Sequence, residues 1–185
     1  MTLETERLLL REWKLSDIND IVEGLNDFDT AKNLTVPFPY TIEHAKIFIN
    51  KHSTNDVNNY YFAIVLKSED KVIGGISLNI ESDNKNKGGI WLNKKYHGQG
   101  YGTEVWIERA KFAFETLKLK EIENGFFEHN EISCKMQQKI GYKLIGKTKN
   151  FCPALNKEVV EIVTKLTKQD FYLALENLKG TTRWQ

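Results

Sequence analysis

The sequence predicts a single α/β domain, of the α+β kind, in which a mostly antiparallel sheet is flanked by helices. Three observations support this fold class. The chain has 185 residues, 41% of them apolar and 28% charged, which is enough for one hydrophobic core without cross-links. Apolar residues in the middle of the chain repeat with the period of two that is typical of strands. The second half alternates helical and extended patterns, and no repeat or linker divides the chain.

The first half of the chain predicts a short strand, two helices and then three antiparallel strands. Ser16 and Thr41 are suited to cap the two helices, because their hydroxyls can accept hydrogen bonds from amides of the first turn. Between the helices, residues 36–40 form an aromatic loop with two prolines, which we expect to line a pocket. A polar connection at residues 82–88 precedes the last of the four strands, which are residues 8–12, 60–66, 72–80 and 89–93.

The second half predicts three helices that alternate with strands. Trp106, Ala110 and Phe114 follow the spacing of a helix packed on a sheet. The next helix ends at Gly141, where a residue with positive φ is expected, and a third helix follows the last strand. The strands of this half are residues 121–128, 142–147 and 159–166, which brings the predicted total to seven.

Charge and composition exclude several classes of function. Because 26 Lys and Arg oppose 25 Asp and Glu, the net charge is +1, and no overall basic field favours a nucleic-acid partner. Two cysteines, Cys134 and Cys152, are too few for a disulfide scaffold or a metal cage. The apolar run at residues 8–10 is too short for a signal peptide or a membrane span. We therefore expect a cytoplasmic protein without a membrane partner.

The most informative segment is residues 96–104, which connect a predicted strand to a strong helix. Gly98, Gly100 and Gly102 remove side chains where backbone amides could approach a ligand. A helix N-terminus adds unpaired N–H donors and a partial positive charge, so the segment suits a phosphate or diphosphate. A plain glycine-rich turn before a helix explains the same sequence equally well.

Two other nucleotide-binding motifs do not fit. A dinucleotide fingerprint counted from Gly98 requires a glycine where Thr103 stands. Residues 141–148 satisfy the letter pattern of a phosphate-binding P-loop. That motif needs a helix after the loop, whereas this segment is extended and is followed by a loop with Pro153. We therefore expect no phosphate site there.

A second polar cluster, residues 129–135, follows the next strand. Asn130 can cap the helix that begins there, and Ser133 lies one turn further on, so capping and an ordinary helix surface account for both residues. Neighbouring crossovers nevertheless place this cluster beside the glycine segment at one edge of the sheet, where ligands of α/β folds collect. The pair of segments is therefore more suggestive of a site than either alone.

The histidines do not indicate a metal site. They are scattered without the spacing of metal ligands, at His44, His52, His97 and His129. His129 lies nearest to the second polar cluster. For this residue a surface histidine at a strand end is favoured over a general base.

Several segments occur in a specific order over about residues 5–166. The first two are Thr5-Glu6-Arg7-Leu8-Leu9-Leu10-Arg11 and the Pro-x-Pro loop. The third is the strand at residues 89–93 with the glycine segment and the helix that follow it, and the last is Asn130-x-x-Ser133 followed by Lys139-Ile140-Gly141-Tyr142. In this order the chain resembles the GNAT superfamily of acyl-CoA-dependent N-acyltransferases, and within it the ribosomal-protein N-acetyltransferase-like RimJ/RimL branch. Residues 97–102 fall on the superfamily's phosphate loop, R/Q-x-x-G-x-G/A, with His97 in place of Arg or Gln. The resemblance implies a domain over residues 1–166, with a splayed sheet of about seven strands, and a helical tail over residues 167–185.

The resemblance implies an acetyl-CoA site without a metal. The end of the third strand, Leu92, Asn93 and Lys94, would pair with the pantetheine amides. The diphosphate would be held by the amides of the loop residues Gly98, Gln99, Gly100, Tyr101, Gly102 and Thr103. Asn130 would contact the pantetheine, and Lys135 would neutralise a phosphate, with a solvated helix lysine as the alternative.

Acyl transfer from a thioester to an amine needs a neutral amine, a donor to the developing oxyanion and a proton for the leaving thiolate. Glu128 is the candidate base, directly or through water, with a solvated strand residue as the alternative. A backbone N–H near Leu92 would polarise the carbonyl. Many members of the superfamily use a tyrosine as the thiolate acid, but Gln137 stands at the matching place. The resemblance to the ribosomal branch favours Ser133 instead.

The acceptor amine would be walled by Trp13, by the segment from Asn33 to Tyr40 with Phe38 and Tyr40, and by the first two helices. A protein N-terminus, a small amine such as an aminoglycoside or polyamine, and a free amino acid all remain open, although the lack of an acidic run disfavours polyamines. The predicted activity is transfer of acetyl from acetyl-CoA to a primary amine by direct attack in a ternary complex. A non-catalytic acyl-CoA-binding regulator on the same fold is the alternative, and a homodimer is left open.

Overall fold

The computed structural model describes residues 1–81 and 86–181, and these form nine strands and six α-helices. The strands are β1 (Thr2–Glu4), β2 (Leu8–Arg11), β3 (Asn59–Leu66), β4 (Lys71–Ile80), β5 (Asn86–Lys87), β6 (Ile90–Leu92), β7 (Glu121–Phe127), β8 (Lys143–Cys152) and β9 (Lys157–Thr167). The helices are α1 (Ile18–Leu25), α2 (Phe28–Ala31), α3 (Ile42–His52), α4 (Tyr101–Lys111), α5 (Glu131–Lys139) and α6 (Lys168–Thr181). A π-helical turn, Phe112–Thr116, continues α4. The polar connection predicted for residues 82–88 lies outside the described residues at 82–85.

The strands divide into two sheets, and every pair within the described ranges is antiparallel. The first sheet has the order β1-β2-β3-β4-β5, with β6 also paired to β4, and the second has the order β7-β9-β8. The predicted fold class is confirmed. The strand count differs from the predicted seven because β1 and β5 have only three and two residues, too few to produce an alternating pattern.

The first sheet is buried on both faces. Alternate residues of a strand point to opposite sides, so Phe62 and Ile64 belong to one apolar cluster while Ala63 and Val65 belong to the other. Helix α4, its π-helical continuation and α6 cover the first cluster, and α1 and α3 cover the second. This sandwich fixes the position of β6, whose end leads into α4.

The predicted helix caps have different outcomes. The Thr41 cap is confirmed, because its hydroxyl accepts a hydrogen bond from the His44 amide at 3.3 Å. The Ser16 cap is wrong, because Ser16 lies inside a 3₁₀ turn and Asp17 directly precedes α1. The Asp17 carboxylate is instead held by Arg11 at 2.8 Å.

The segment with the P-loop letter pattern has the structure expected from its extended residues. Gly141 follows α5 with a φ of +98°, as predicted for a helix end. Gly146, Lys147 and Thr148 then lie within β8, and no helix follows them in this segment. The geometry that a P-loop requires is therefore missing here.

The predicted C-terminal helix is present as α6. Phe171 of this helix is fully buried, and its ring centroid lies 5.7 Å from that of Phe114. Residues 182–185 lie outside the described residues, and the division of the chain at residue 166 stays a prediction. In the two described ranges, the helices fall short of the length and apolar character that a membrane crossing needs.

Candidate active site

A cavity of about 800 Å³ lies where the two sheets part. Strands β6 and β7 flank it without pairing to each other, and the N-terminal ends of α4 and α5 complete its walls together with residues 29–34. Its volume falls in the range of pockets that hold a small ligand or cofactor. The glycine segment and the second polar cluster predicted from the sequence therefore open into one space.

The loop before α4 presents unpaired amides. Gly98 and Gly100 have φ values of +76° and +85°, and this left-handed backbone is accessible to glycine without strain. The amides of Gly100, Tyr101, Gly102 and Thr103 donate to no acceptor in the described part of the chain, and the first hydrogen bond of α4 runs from Glu104 to the Gly100 carbonyl at 3.1 Å. Because these amides sit at the positive end of a helix, the arrangement suits a diphosphate.

The outer edge of β6 also faces the cavity. The Asn93 amide donates to the Ile73 carbonyl at 2.8 Å, and the Ser77 amide donates to the Gly89 carbonyl at 2.9 Å. Since backbone groups alternate in direction along an antiparallel strand, the N–H and C=O of Leu92 point away from β4. The Leu92 carbonyl lies 2.9 Å from His97 Nε2, which must carry a proton to donate to it. The Leu92 N–H remains directed toward the splay between the sheets.

Three buried polar atoms on the cavity wall lack partners among the described residues. They are Trp106 Nε1, Asn124 Oδ1 and Asn33 Oδ1. An unpaired polar atom in a protein interior is costly. The residues line the cavity, but these three atoms have almost no exposed surface, so a bound molecule reaches them only if the side chains turn.

Arg7 ties the start of the chain to the loop before α4. Its Nη1 donates to the Gln99 carbonyl at 2.9 Å, and its Nε donates to the Glu104 carboxylate at 2.8 Å. The guanidinium lies 4.3 Å from the centroid of the Tyr101 ring. The Thr5 hydroxyl donates to the same carboxylate. Sequence analysis found Thr5 and Arg7 as part of a motif but missed this role, because the partners are distant along the chain.

The contacts of Thr5 and Arg7 with Glu104 form a brace between the start of the chain and α4, and they change the pKa of the Glu104 carboxyl. Burial raises the pKa of the carboxyl, but hydrogen bonds from Thr5 and Arg7 and the Arg7 charge outweigh burial and lower it below its ordinary value. A group with a lowered folded-state pKa stabilises the fold above its ordinary pKa, and this contribution is lost as the pH falls through the folded-state value.

We expect Glu104→Gln to lower the free energy of unfolding by about 1–2 kcal/mol at pH 7, because charge-assisted hydrogen bonds to a partly exposed arginine are lost. The difference from the wild type should shrink as the pH falls below about 4. Urea unfolding across this pH range measures both effects. Glu108→Gln on the same helix is the matched control, because burial raises the pKa of Glu108, so this variant should lose no stability. A loss of unfolding free energy in Glu104→Gln that does not change with pH would contradict the stabilising role of the ionised Glu104 carboxylate.

The N-terminal turn of α5 forms the opposite wall. Asn130 caps it, since its Oδ1 accepts a hydrogen bond from the Ser133 amide at 3.1 Å. Asn130, Ser133 and Met136 line the cavity. The Ser133 hydroxyl accepts a hydrogen bond from Gln137 Nε2 at 3.1 Å. Ser133 is therefore placed where a hydroxyl can reach a ligand.

The structure brings most of the predicted cofactor residues together. Those that line the cavity are Leu92, Lys94, Gly98, Gly100, Tyr101, Gly102, Thr103 and Asn130. The side chains of Asn93, Gln99 and Lys135 do not. Asn93 is buried and its Oδ1 accepts from the Lys95 amide at 3.1 Å, and Gln99 Nε2 donates to the Lys95 carbonyl at 3.2 Å. Lys135 is 79% exposed and lies 3.6 Å from Glu131, as the alternative of a solvated helix lysine predicts.

Glu128 lies outside the cavity, contrary to its expected position beside the acceptor. It follows the end of β7, where the chain turns, and its carboxylate forms an ion pair with Lys147 at 2.6 Å. Both side chains are more than half exposed. The structure therefore gives Glu128 no contact with the site, and the geometry does not support it as the base.

The three predicted acceptor-wall aromatics do not line the cavity either. Trp13 and Tyr40 are 4% exposed and belong to the apolar cluster under α1 and α3. Trp13 stacks at 6.5 Å on Trp91, which does line the cavity, so Trp13 supports the wall from behind. Phe38 packs edge-on against Phe28 at 5.7 Å. Burial raises the pKa of Tyr40 to about 12, so its hydroxyl stays protonated.

The predicted acceptor segment from Asn33 to Tyr40 reaches the cavity at its first two residues, Asn33 and Leu34, beside residues 29–32. Asp29 lines the cavity, and its two oxygens are bound by Lys32 and Lys94. Hydrogen bonds from these two lysines lower the pKa of Asp29 to about 2. His129 Nε2 lies 3.1 Å from the Lys32 carbonyl, so it carries a proton there and leaves Nδ1 with the lone pair when the ring is neutral. Helix α2, which carries Asp29, was not predicted.

Comparison with known proteins identifies the family. The sequence model of one protein family, described as the acetyltransferase (GNAT) domain, matches residues 7–143 of this chain. An uncharacterized N-acetyltransferase, YnaD of Bacillus subtilis strain 168, is 27% identical over 158 residues, which are 85% of this chain and 91% of the relative. The solved acetyltransferase (GNAT family) from Bacillus anthracis is 26% identical with a TM-score of 0.79, covering 91% of this chain and 99% of that chain.

Two further solved structures share the fold. One is a ribosomal-protein-S5-alanine acetyltransferase from Vibrio fischeri, with a TM-score of 0.73 and 22% identity over 92% of this chain and 98% of that chain. The other is the spermidine N-acetyltransferase from Vibrio cholerae in complex with CoA and spermine, with a TM-score of 0.76 and 15% identity over 91% of this chain and 99% of that chain. The fold and the relatives define an acetyltransferase. The chain belongs to the GNAT acetyltransferase family and is an acetyl-CoA-dependent N-acetyltransferase.

Proposed function

We propose that the enzyme transfers the acetyl group of acetyl-CoA to a primary amine by direct attack in a ternary complex, as a member of the RimJ/RimL-like branch. The observation that carries this proposal is the row of unpaired amides from Gly100 to Thr103 at the start of α4. The residues that carry these amides line the cavity, which supports a diphosphate at one end of an elongated ligand. The CoA-bound neighbour with the same fold adds support.

The edge of β6 supports a role in the acyl step. The Leu92 N–H is directed into the splay and is free of β4, so it can donate to the thioester carbonyl and stabilise the charge that develops on its oxygen. Ser133 lies on the facing wall and supplies a hydroxyl for the leaving sulfur. The coenzyme supplies the activated acetyl group, and the protein supplies orientation, charge stabilisation and proton movement.

The acceptor is proposed to be an amine without several positive charges, such as a protein N-terminus or a small monoamine. The carboxylates on the cavity wall, Asp29 and Glu131, each have a lysine partner among the described residues. A polyamine would have to displace these lysines to gain an ion pair. Two structural neighbours are ribosomal-protein acetyltransferases and a third is a spermidine N-acetyltransferase, so the shared fold does not choose the acceptor and the proposal rests on the paired carboxylates.

His129 replaces Glu128 as the proposed proton acceptor for the amine. It lines the cavity, and its bond to the Lys32 carbonyl fixes the ring so that Nδ1 holds the free lone pair. We expect His129→Gln to lower kcat/KM for the amine by about tenfold or more. Glu128→Gln, the matched control one residue away, should stay within about twofold of the wild type. The reverse ranking of the two variants would restore Glu128 as the base.

The proposed function is tested by calorimetry and thiol release. Titration with acetyl-CoA, CoA and ATP measures the ligand preference, and release of free thiol over a panel of N-terminal peptides, monoamines and spermine measures the acceptor. We expect tight binding of acetyl-CoA and CoA, weak binding of ATP, and turnover with peptides or monoamines above that with spermine. Acetyl-CoA binding without turnover on any amine would favour the regulator instead, and a preference for ATP would reject the assignment.

A further inference from the structure

We propose that Gln137 and Thr164 are positioning residues that turn the proton of the Ser133 hydroxyl into the cavity. Both residues lie behind the cavity wall and outside its lining. They act through one directional chain of hydrogen bonds that ends at Ser133. The inference rests on the proposed function, because it assigns that proton to the leaving sulfur of acetyl-CoA.

The chain crosses from β9 to α5 through the protein interior. Gln137 is 1% exposed and Thr164 is 4% exposed. Thr164 Oγ1 lies 2.6 Å from Gln137 Oε1, and Gln137 Nε2 lies 3.1 Å from Ser133 Oγ. Thr164 Oγ1 is also 3.2 Å from the Asn124 carbonyl on β7, a longer second contact of the single hydroxyl proton, whose shorter bond is to Gln137 Oε1. The amide of Gln137 is thus held by a hydrogen bond at its oxygen and another at its nitrogen.

The two distances fix which way the amide of Gln137 points. A separation of 2.6 Å suits an O–H···O bond and is short for N–H···O, whereas 3.1 Å suits N–H···O. Thr164 therefore donates to Oε1, and Nε2 donates to Ser133. If the amide were rotated by 180°, its nitrogen would lie 2.6 Å from Thr164 Oγ1, which is too short for N–H···O. Its oxygen would then face Ser133 and accept the Ser133 proton.

This direction determines what Ser133 can do. Its oxygen is used as an acceptor by Gln137, and its own proton finds no acceptor in the described part of the chain. The free direction is the cavity that Ser133 lines. A hydroxyl whose proton is not spent on the protein can donate to a developing thiolate, which is stabilised by each donor aimed at it.

The proton balance of the step is closed. The amine nitrogen forms the new C–N bond, the C–S bond breaks, and the sulfur keeps the electron pair. The nitrogen loses one proton and the free thiol gains one. Ser133 passes its proton to the departing sulfur, and the serine oxygen then takes up a proton from solvent. The proton lost by the amine leaves to solvent through His129, so one proton is released for each one taken up.

The main experiment is Gln137→Glu, which keeps the shape of the side chain. While the introduced carboxyl group is protonated, it can still donate to Ser133. Once ionised, it can only accept, so it takes the Ser133 proton away from the cavity. We expect kcat to be near that of the wild type at low pH and to fall by about tenfold as the pH rises, at a pH above the ordinary carboxyl range because the group is buried. The KM for acetyl-CoA should change by less than about threefold.

Gln138→Glu is the matched control, since it makes the same change one position along α5 at an exposed residue. It should leave the pH–rate profile unchanged. In a Ser133→Ala background, Gln137→Glu should cause no further loss, because the two residues act as one unit. A flat profile for Gln137→Glu, or a loss that multiplies with that of Ser133→Ala, would overturn the inference.

Thr164→Val tests the same chain if Gln137→Glu does not fold. Valine matches threonine in shape and removes the hydroxyl that contacts both Gln137 Oε1 and the Asn124 carbonyl. We expect kcat to fall by about three- to tenfold and Thr164→Ser, which keeps both contacts, to restore it. Full activity in Thr164→Val would also overturn the inference. Failure of the proposed function is distinguished by the wild type itself, which would then show no thiol release with acetyl-CoA and amine, and the inference would fall with it.

Discussion

Gly100→Val is expected to lower the affinity for acetyl-CoA by at least about 100-fold. Two or more charge-assisted hydrogen bonds from the α4 amides are lost when the valine methyl groups cover them, and such bonds contribute about 1.5–3 kcal/mol each. The position itself leaves little room, since a Cβ on Gly100 would lie 3.3 Å from Arg7 Nη2. Isothermal calorimetry with acetyl-CoA measures the loss.

The same substitution should also destabilise the fold to a limited extent. Gly100 has a φ of +85°, and a β-branched residue there costs about 1–3 kcal/mol. For a chain of this size, each kcal/mol lowers Tm by about 2–4 °C. Gly100→Ala is the matched control, because it carries the backbone strain with one carbon in place of the valine side chain. Its affinity should lie between those of the wild type and Gly100→Val at a similar Tm.

Binding of acetyl-pantetheine distinguishes whether Gly100→Val blocks the diphosphate site or damages the whole cavity. It lacks the diphosphate and the adenosine, so it cannot use the α4 amides. The wild type should bind acetyl-CoA far more tightly than acetyl-pantetheine, and this gap should nearly vanish in Gly100→Val. If the variant lost affinity for both ligands in equal proportion, the amides of this loop would not be the diphosphate site.

Local sequence signals predicted the parts of the site that depend on local geometry. The glycines before α4, the cap at Asn130 and the position of Ser133 one turn later follow from neighbouring residues, because helix starts and tight turns are determined over a few positions. The order of these segments along the chain was sufficient for the family. These are also the residues that the structure brings together around the cavity.

Contacts between distant segments could not be predicted in this way. The Arg7–Glu104 brace and the bond from His129 to the Lys32 carbonyl join segments far apart along the chain, and no periodicity indicates such partners. Trp13 and Tyr40 illustrate a second limit. An aromatic residue near a loop suits either a pocket wall or the core, and only the packing of α1 and α3 on the sheet decides for the core.

Glu128 illustrates a third limit, at the end of a strand. Along β7 the side chains alternate, with Ile122, Asn124 and Phe126 buried. The next residue, Phe127, is buried as well, so the alternation stops just before Glu128. Extending the strand pattern by one residue therefore gives no reliable direction for the carboxylate, and the ion pair with Lys147 decides it.

Ser133→Ala is expected to lower kcat by about 100- to 1000-fold, which is the range for losing one hydrogen-bond donor to developing charge. The affinity for acetyl-CoA should stay within about twofold, because the loop amides of α4 are untouched. The cap of α5 also survives, since Asn130 uses the Ser133 backbone amide, which alanine keeps. Gln137 Nε2 loses its acceptor, so a drop in Tm of a few degrees is expected.

The role of the hydroxyl is distinguished from simple packing by varying the leaving group. A thioester whose thiol is more acidic needs less help when the C–S bond breaks, so the ratio of wild-type to Ser133→Ala turnover should shrink toward one as that acidity rises. Ser133→Thr retains a hydroxyl on the same atom and should recover part of the activity on acetyl-CoA. A constant ratio across leaving groups would mean that Ser133 positions the substrate, and that the sulfur obtains its proton by another route.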